Sequence, residues 1–143
     1  MNQSREFDII IWGASGFTGR LVASYLFSKY GTSGNLRWAM AGRNLNKLEM
    51  VRHEVADETV SLVVADSNDE VSLKEMVKRT KVICTTVGPY AKYGSKLVVA
   101  CIQNQVHYCD LAGEVQWMRQ IIDQYNEAAK ANETKIVHTC GFD

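Results

Sequence analysis

The sequence has little proline and no excess charge of either sign. It contains 1 proline in 143 residues and shows no linker, repeat or low-complexity stretch, so we expect one domain. Its 16 Lys and Arg residues balance 16 Asp and Glu residues, which argues against nucleic acid and against a polybasic membrane surface as partners. No apolar run approaches the roughly 20 residues that a membrane span needs.

Export and metal-binding signals are also missing. The N-terminal residues have no apolar h-region before Asp8, so no signal peptide is expected. No C-x-x-C pair is present, and a zinc site built from Cys101, Cys109 and His107 is not expected because their spacing matches no ligand pair. We interpret the cysteines as reduced thiols of a cytoplasmic protein without a bound metal; they are Cys84, Cys101, Cys109 and Cys140.

What the sequence does contain is a glycine motif, GASGFTG, at residues 13–19. It follows an apolar run and opens a segment with helical spacing that begins at Phe17, as in a nucleotide-binding βαβ unit. Gly13 allows a sharp turn, Gly16 removes a side chain where a pyrophosphate would approach, and Gly19 allows close helix packing. The spacing is G-x-x-G-x-x-G rather than G-x-G-x-x-G, so the motif alone also fits a plain strand–turn–helix.

The start of this helix is suited to an anion. Free N–H groups and the positive end of the helix dipole favour negative charge there, and the hydroxyls of Ser15 and Thr18 add hydrogen-bond donors. We therefore predict that residues 13–19, with Phe17 among them, bind a pyrophosphate.

Strand and helix patterns alternate along the whole chain. Strands two to four and six are near-continuous apolar runs, which predicts strands buried on both faces. Right-handed crossovers then predict an α/β, Rossmann-like doubly wound parallel sheet of about six strands in the order 3-2-1-4-5-6. The strands are predicted at 7–12, 36–41, 60–65, 81–87, 106–111 and 135–139, and the first, fourth and fifth helices at 17–30, 94–104 and 114–131.

The helices are predicted to start after turn residues and to bury one face. Gly31 closes the first, Asn44 caps the second, and Ser67–Asp69 start the third. The fifth helix is expected to bury Val115, Met118, Ile121, Ile122 and Tyr125, while the second has Leu45, Leu48, Val51 and Val55 on one face and the third carries Val71, Leu73, Met76 and Val77.

The end of the second strand indicates which dinucleotide binds. An acidic residue at this place bonds the ribose of NAD, whereas Gly42 and Arg43 stand here, and an arginine accommodates the 2′-phosphate of NADP. Lys47 lies one helical turn further on and could face the same phosphate. One charged hydrogen bond gives a preference of roughly 10- to 150-fold for NADP or NADPH. The alternatives are a solvated loop arginine and a surface lysine.

Two further strand ends complete the predicted cofactor site. Asp66 is placed to accept a hydrogen bond from the adenine amino group, or else is a turn aspartate. Residues 87–90 would pass along the pyrophosphate and nicotinamide, although an ordinary Gly-Pro turn would look the same. This segment consists of Val87, Gly88, Pro89 and Tyr90.

Taken together, these motifs resemble the N-terminal domain of the saccharopine dehydrogenase-like oxidoreductases, in the branch that includes trans-acting enoyl reductases. The resemblance runs in order through residues 13–19, 38–43, 87–94, 109–114 and 141–143. It implies NADP binding at the glycine loop and Arg43, and a second, absent domain that binds a small-molecule substrate. The chain is thus expected to be the N-terminal Rossmann part, 1–143, of a longer two-domain protein. A homodimer of that longer protein stays open as an alternative to a monomer.

No catalytic residue is assigned from the sequence. The candidate proton donors at strand ends are Tyr90, Asp110, Glu114, His138 and Asp143, but a structural role is favoured for Asp110, Glu114 and His138. His107 is interpreted as structural and His53 as solvated. No Tyr-x-x-x-Lys pair is present. The leading hypothesis is an NADP-binding domain of an oxidoreductase that is inactive alone; the alternatives are a non-catalytic NADP sensor or interaction module, and a fold that binds no nucleotide.

Overall fold

A computed structural model describes residues 4–141, which form a six-stranded sheet with helices on both faces. Phe142 and Asp143, which end the Gly-Phe-Asp motif, lie outside the described residues. The strands are β1 (Phe7–Trp12), β2 (Trp38–Gly42), β3 (Ser61–Val64), β4 (Thr80–Thr85), β5 (His107–Asp110) and β6 (Ile136–Val137). The helices are α1 (Phe17–Tyr30), α2 (Leu45–Val55), α3 (Glu70–Val77), α4 (Tyr90–Tyr93), α5 (Ser95–Gln103) and α6 (Val115–Ala131).

The strand order is β3-β2-β1-β4-β5-β6, and every neighbouring pair is parallel. The predicted doubly wound topology is therefore confirmed. Because the chain reverses direction across the sheet after β3, right-handed crossovers put α1 and α2 on one face and α3, α5 and α6 on the other. The reversal lies at the carboxyl ends of the neighbouring strands β1 and β4, which is where ligands bind in such sheets.

Two apolar cores follow from this arrangement. The core under α1 and α2 contains Ile11, Met40 and Leu48, all without exposed surface. The larger core on the other face contains Ile10 and Ile83, packed against residues of α3, α5 and α6. Side chains alternate along each strand, so neighbours such as Ile10 and Ile11 stabilise opposite faces of one sheet.

Helix boundaries follow the local chemistry that the sequence predicted. Asn44 Oδ1 accepts a hydrogen bond from the Lys47 backbone N–H at 3.1 Å, and the Asp69 carboxylate caps α3. Gly31, with φ of 58°, ends α1. Among residues 4–141, no helix combines the length and apolar character that crossing a membrane requires.

Some predictions of burial were wrong. β3 and β6 are edge strands, so each is flanked on one side only, and Val64 and Val137 are half exposed. An apolar residue at helical spacing also faces solvent when no neighbouring element reaches it. This applies to residues expected to be inward on α2, α3 and α6, namely Leu45, Val71, Val115 and Ile122, whereas Trp117 of α6 is buried instead.

Two element assignments also differ. The short helix α4 was not predicted, because four residues after a Gly-Pro turn carry no periodicity. Residues 135–139 were predicted as strand, but only Ile136 and Val137 pair with β5.

Candidate functional site

The turn after β1 is shaped by Gly13. Its φ is +88°, a left-handed conformation that L side chains rarely adopt. A Cβ at this position would lie 2.6 Å from Val87 Cγ2 and 2.9 Å from Thr86 Oγ1. Thr86 holds this contact in place, because its backbone N–H donates to the Trp12 carbonyl at 3.0 Å. The segments after β1 and β4 therefore touch at the point where the sheet reverses direction.

The other two glycines have different roles. Gly19 is buried, and a Cβ there would lie 1.9 Å from the Gly13 carbonyl oxygen, so α1 packs directly on the turn. Gly16 is exposed, and its Cβ would meet only the Gly13 oxygen, at 3.4 Å. The protein itself tolerates a side chain at Gly16. The space beside it is open to a ligand.

The first turn of α1 presents free backbone donors. Gly16 is the N-cap and no side chain caps the helix, whereas Asn44 and Asp69 cap α2 and α3. Phe17 and Thr18 are exposed beside this turn, and Ser15 is partly buried. Uncapped N–H groups and the helix dipole attract an anion, so this end of α1 is suited to a phosphate group.

A groove of about 360 Å³ runs along the carboxyl ends of β3, β2, β1 and β4. Its volume lies in the range of small-molecule sites. Seven predicted residues line it: Gly13, Ser15, Gly16, Arg43, Asp66, Val87 and Gly88. Phe17, Thr18, Gly19, Lys47, Pro89 and Tyr90 were also predicted and do not line it.

The groove also contains residues that sequence reasoning missed. They are Trp12, Gly42, Ser67, Asn68, Thr86 and Tyr93. All but Tyr93 lie within two positions of a predicted residue along the chain, so extending each strand end by one or two residues would have found them. Tyr93 gave no such signal, because α4 brings it to the groove.

Arg43 follows β2 directly and is exposed at the rim of the groove. Within residues 4–141, its side chain makes no hydrogen bond or ion pair, so the guanidinium is available to a ligand. Lys47 is exposed in the first turn of α2 and stays outside the groove lining. Asp66 lines the groove, but its Oδ1 accepts the Asn68 backbone N–H at 2.8 Å, as in a turn aspartate.

Tyr90 and Glu114 join α4 to the sheet. The Glu114 carboxylate accepts the backbone N–H groups of Tyr90 at 2.6 Å and Ala91 at 3.0 Å. The Tyr90 side chain is buried, its hydroxyl donates to the Thr85 carbonyl, and it accepts the Leu111 N–H. Burial raises the pKa of Tyr90 to about 12. Both side chains thus have hydrogen-bond partners within the protein.

Asp110, at the end of β5, accepts more hydrogen bonds than Asp66 or Glu114, the other acidic residues considered at the carboxyl ends of the strands. It has almost no exposed surface and accepts four hydrogen bonds, from His138 Nδ1, the Tyr108 hydroxyl and the N–H groups of Ala112 and Thr139. Burial alone would raise the pKa of Asp110, but these bonds hold it below its ordinary value. Asp110 therefore stays ionised and organises the loops after β5 and β6.

The histidines have the surroundings of structural or solvated residues. His138 Nδ1 bonds Asp110, and its ring packs edge-on against Trp117 with centroids 5.3 Å apart. His107 Nδ1 accepts the Lys135 N–H at 3.0 Å, and His53 is exposed on α2. Asp143, the remaining candidate donor, lies outside the described residues.

The four cysteines are free thiols, of which Cys101 is buried and the others are partly buried. Within the described part of the chain, no three His, Cys, Asp or Glu side chains are arranged to hold a metal ion.

Comparison with known proteins gives one family. The model of the saccharopine dehydrogenase NADP-binding domain matches residues 9–137. A trans-acting enoyl reductase of Mycobacterium ulcerans is 42% identical over 141 residues, and one of Mycobacterium bovis is 40% identical. Each match covers 97% of this chain and 33% of the relative, so the chain spans about a third of the length of these curated relatives.

Solved structures agree in fold. Saccharopine dehydrogenase (L-Glu forming) from Saccharomyces cerevisiae superposes with a TM-score of 0.73 over 94% of this chain and 27% of its own, at 14% identity. Triphenylmethane reductase from Citrobacter sp., in complex with NADP(H), gives a TM-score of 0.68 over 92% of this chain and 48% of its own, at 17% identity.

Proposed function

Because this chain belongs to the saccharopine dehydrogenase NADP-binding domain family, we propose that it is the cofactor-binding domain, residues 1–143, of a longer, two-domain NADPH-dependent oxidoreductase. NADP is the cofactor of this family. When bound, it supplies or accepts a hydride, and the surrounding protein orients it. The residues present fit this group, because the open space beside Gly16 and the uncapped start of α1 suit a pyrophosphate.

The observation that carries the proposal is the position of Arg43. Its guanidinium stands at the end of β2, at the rim of the groove and unpaired within residues 4–141. A planar guanidinium matches the oxygens of a phosphate, and no acid occupies the place where NAD enzymes bond the ribose. Arg43 thereby supports a preference for NADPH over NADH.

Thermal unfolding with NADPH, NADP, NADH and NAD, measured side by side, tests cofactor binding. Saturation at 100 times the Kd stabilises a protein by about 2.7 kcal/mol. We expect clear shifts with NADPH and NADP and smaller ones with NADH and NAD. The absence of any shift with all four nucleotides would refute the proposed cofactor site.

The reaction of the longer protein is proposed as hydride transfer between NADPH and an unsaturated or carbonyl-type substrate held by its second domain. Two relatives, 42% and 40% identical to this chain, are named trans-acting enoyl reductases, and this supports an enoyl substrate. Oxidation of NADPH by the full-length protein, followed with enoyl and carbonyl compounds, tests this. Persistent inactivity despite cofactor binding would instead favour a non-catalytic NADP sensor or interaction module.

The proposal includes a cytoplasmic location. Four cysteines remain as free thiols, and thiols persist in a reducing compartment. Fractionation of cells, with the protein detected by antibody, checks this location.

Sedimentation of the full-length protein decides between monomer and homodimer.

A further inference from the structure

Burial along one row of the sheet falls steadily from centre to edge. Met40, Ile11, Cys84, Cys109 and Val137 are register partners on five neighbouring strands, so their side chains point to the same face. Met40 and Ile11 are completely buried, the two cysteines are partly buried, and Val137 is 50% exposed. This is the face that α1 and α2 cover.

The row on the other face behaves differently. Ala39, Ile10, Ile83 and Tyr108 are register partners with at most 1% exposure, and their neighbour Ile136 is partly buried against the core. Helices α3, α5 and α6 cover this row along most of its length. The sheet is therefore covered along most of one face, while on the other its β4–β6 half carries no helix from residues 4–141.

Helix α1 lies beside this uncovered half and carries an exposed apolar row on its outer side, opposite the residues that it buries against the sheet. Phe17, Leu21 and Tyr25 follow one another at four-residue spacing and are 81%, 56% and 56% exposed. Residues at i, i+4 and i+8 form a ridge, and ridges of this kind pack into the grooves of a neighbouring helix. A polar surface would be expected here if α1 met only water.

We propose that a helix from the part of the full-length protein outside this chain packs on the β4–β6 half of this face, beside α1. A helix is the fitting occupant, since parallel sheets are covered by helices on both faces. The full-length protein has further residues from which this helix can form, because this chain spans only 33% of the relatives' length. The inference rests on that part of the proposed function which assigns the chain to a longer protein.

Hydroxyl-radical footprinting with mass spectrometry tests the covered face. It is carried out on the full-length protein and on the 143-residue chain, both without nucleotide. In the full-length protein we expect oxidation of Tyr25 and Val137 to fall towards that of the buried Leu48. Met50 and Val71, exposed on α2 and α3, should remain reactive in both samples and serve as controls.

A substitution gives a second measurement. Val137→Glu should lower the melting temperature of the full-length protein by about 4 °C or more beyond any change in the 143-residue chain, because it places a charge in the packed interface. Val71→Glu is the matched control, since Val71 is 70% exposed on α3, on the other face of the sheet, and should change it little.

Two results would overturn the proposal. One is full reactivity of Tyr25 and Val137 in the full-length protein. The other is protection that disappears on dilution, which would assign the face to a second copy of the protein. Thermal shifts with NADPH in the same samples report on the cofactor site separately, so failure of this inference and failure of the proposed function remain distinguishable.

Discussion

Nδ1 of His138 lies 2.8 Å from Oδ2 of Asp110, and this pair ties the loop after β6 to the end of β5. Both side chains are nine-tenths or more buried. Asp110 receives three further hydrogen bonds, so its negative charge is compensated from several sides. A buried charge with this many donors makes the carboxyl edge sensitive to pH.

Stability should decrease in acid because of Asp110. Its folded-state pKa is lower than its ordinary value of 3.8. The carboxylate therefore stabilises the fold fully above pH 3.8, and this contribution is lost as the pH falls through the lower, folded-state pKa. Urea unfolding at a series of acidic pH values measures the loss. A pH-independent difference between the wild type and Asp110→Asn would contradict it.

Asp110→Asn should also destabilise the protein at neutral pH. The substitution removes the buried carboxylate that accepts four hydrogen bonds, which costs about 1.5–3 kcal/mol of the free energy of unfolding. Asp123→Asn is the control, because Asp123 forms an exposed pair with Arg119 on α6. Exposed pairs of this kind contribute about 0.3–0.5 kcal/mol. Equal effects of the two substitutions in urea unfolding would be evidence against a special role for Asp110.

Gly16 and Gly19 should separate cofactor binding from folding. Gly19→Ala places a Cβ 1.9 Å from the Gly13 oxygen, so the expected loss of stability is about 3 kcal/mol or more. Gly16 has φ −79° and ψ 176°, and its Cβ has room, so Gly16→Ala should fold normally. It should nevertheless weaken NADPH binding about tenfold or more, since the pyrophosphate approaches the backbone here.

Circular dichroism and NADPH titration together check this pair of substitutions. The expectation fails if Gly16→Ala binds NADPH as tightly as the wild type, or if Gly19→Ala retains the wild-type melting temperature.

Arg43→Ala should weaken NADPH binding by about 10- to 150-fold, which corresponds to one charged hydrogen bond. NADH binding should change little, because NADH lacks the 2′-phosphate. Arg119→Ala, which removes an exposed arginine of α6, controls for the loss of one positive charge. Isothermal titration with both nucleotides measures the ratio. A proportional loss of NADH affinity would show that Arg43 does not select the phosphate.

Glu114→Ala should loosen α4. The substitution leaves the N–H groups of Tyr90 and Ala91 without their acceptor, at a cost of about 1–3 kcal/mol. Glu75→Ala, at an exposed position of α3, should have little effect and is the control. Hydrogen exchange of residues 90–93 should accelerate in Glu114→Ala only. Unchanged exchange rates there would mean that α4 is held by other contacts.

The fold was predictable because it depends on short-range patterns. Alternating apolar runs and helical spacings specify strands and helices, and right-handed crossovers then favour a doubly wound sheet, for which six strands fit the order 3-2-1-4-5-6. Val64 and Val137 show where this reasoning fails. The strands that contain these two residues have the apolar sequences of buried strands, but burial depends on which strand lies at the edge of the sheet.

The candidate site was predictable in part for a similar reason. Gly13, Gly16 and Arg43 lie at strand ends, and the carboxyl ends of parallel strands share one edge, so their common location follows from topology. Tyr93 was missed because α4, a single turn held by Glu114, carries no periodic signal.

Local patterns along the chain specified the strands and helices, the glycine turn and the arginine after β2, because each depends on residues that are neighbours in sequence. The three-dimensional packing established that Tyr90 is buried, that Asp110 meets His138, and that one half of a sheet face lacks a helix from residues 4–141. These relationships join residues that are distant in sequence. Their energies depend on packing, which no local pattern encodes.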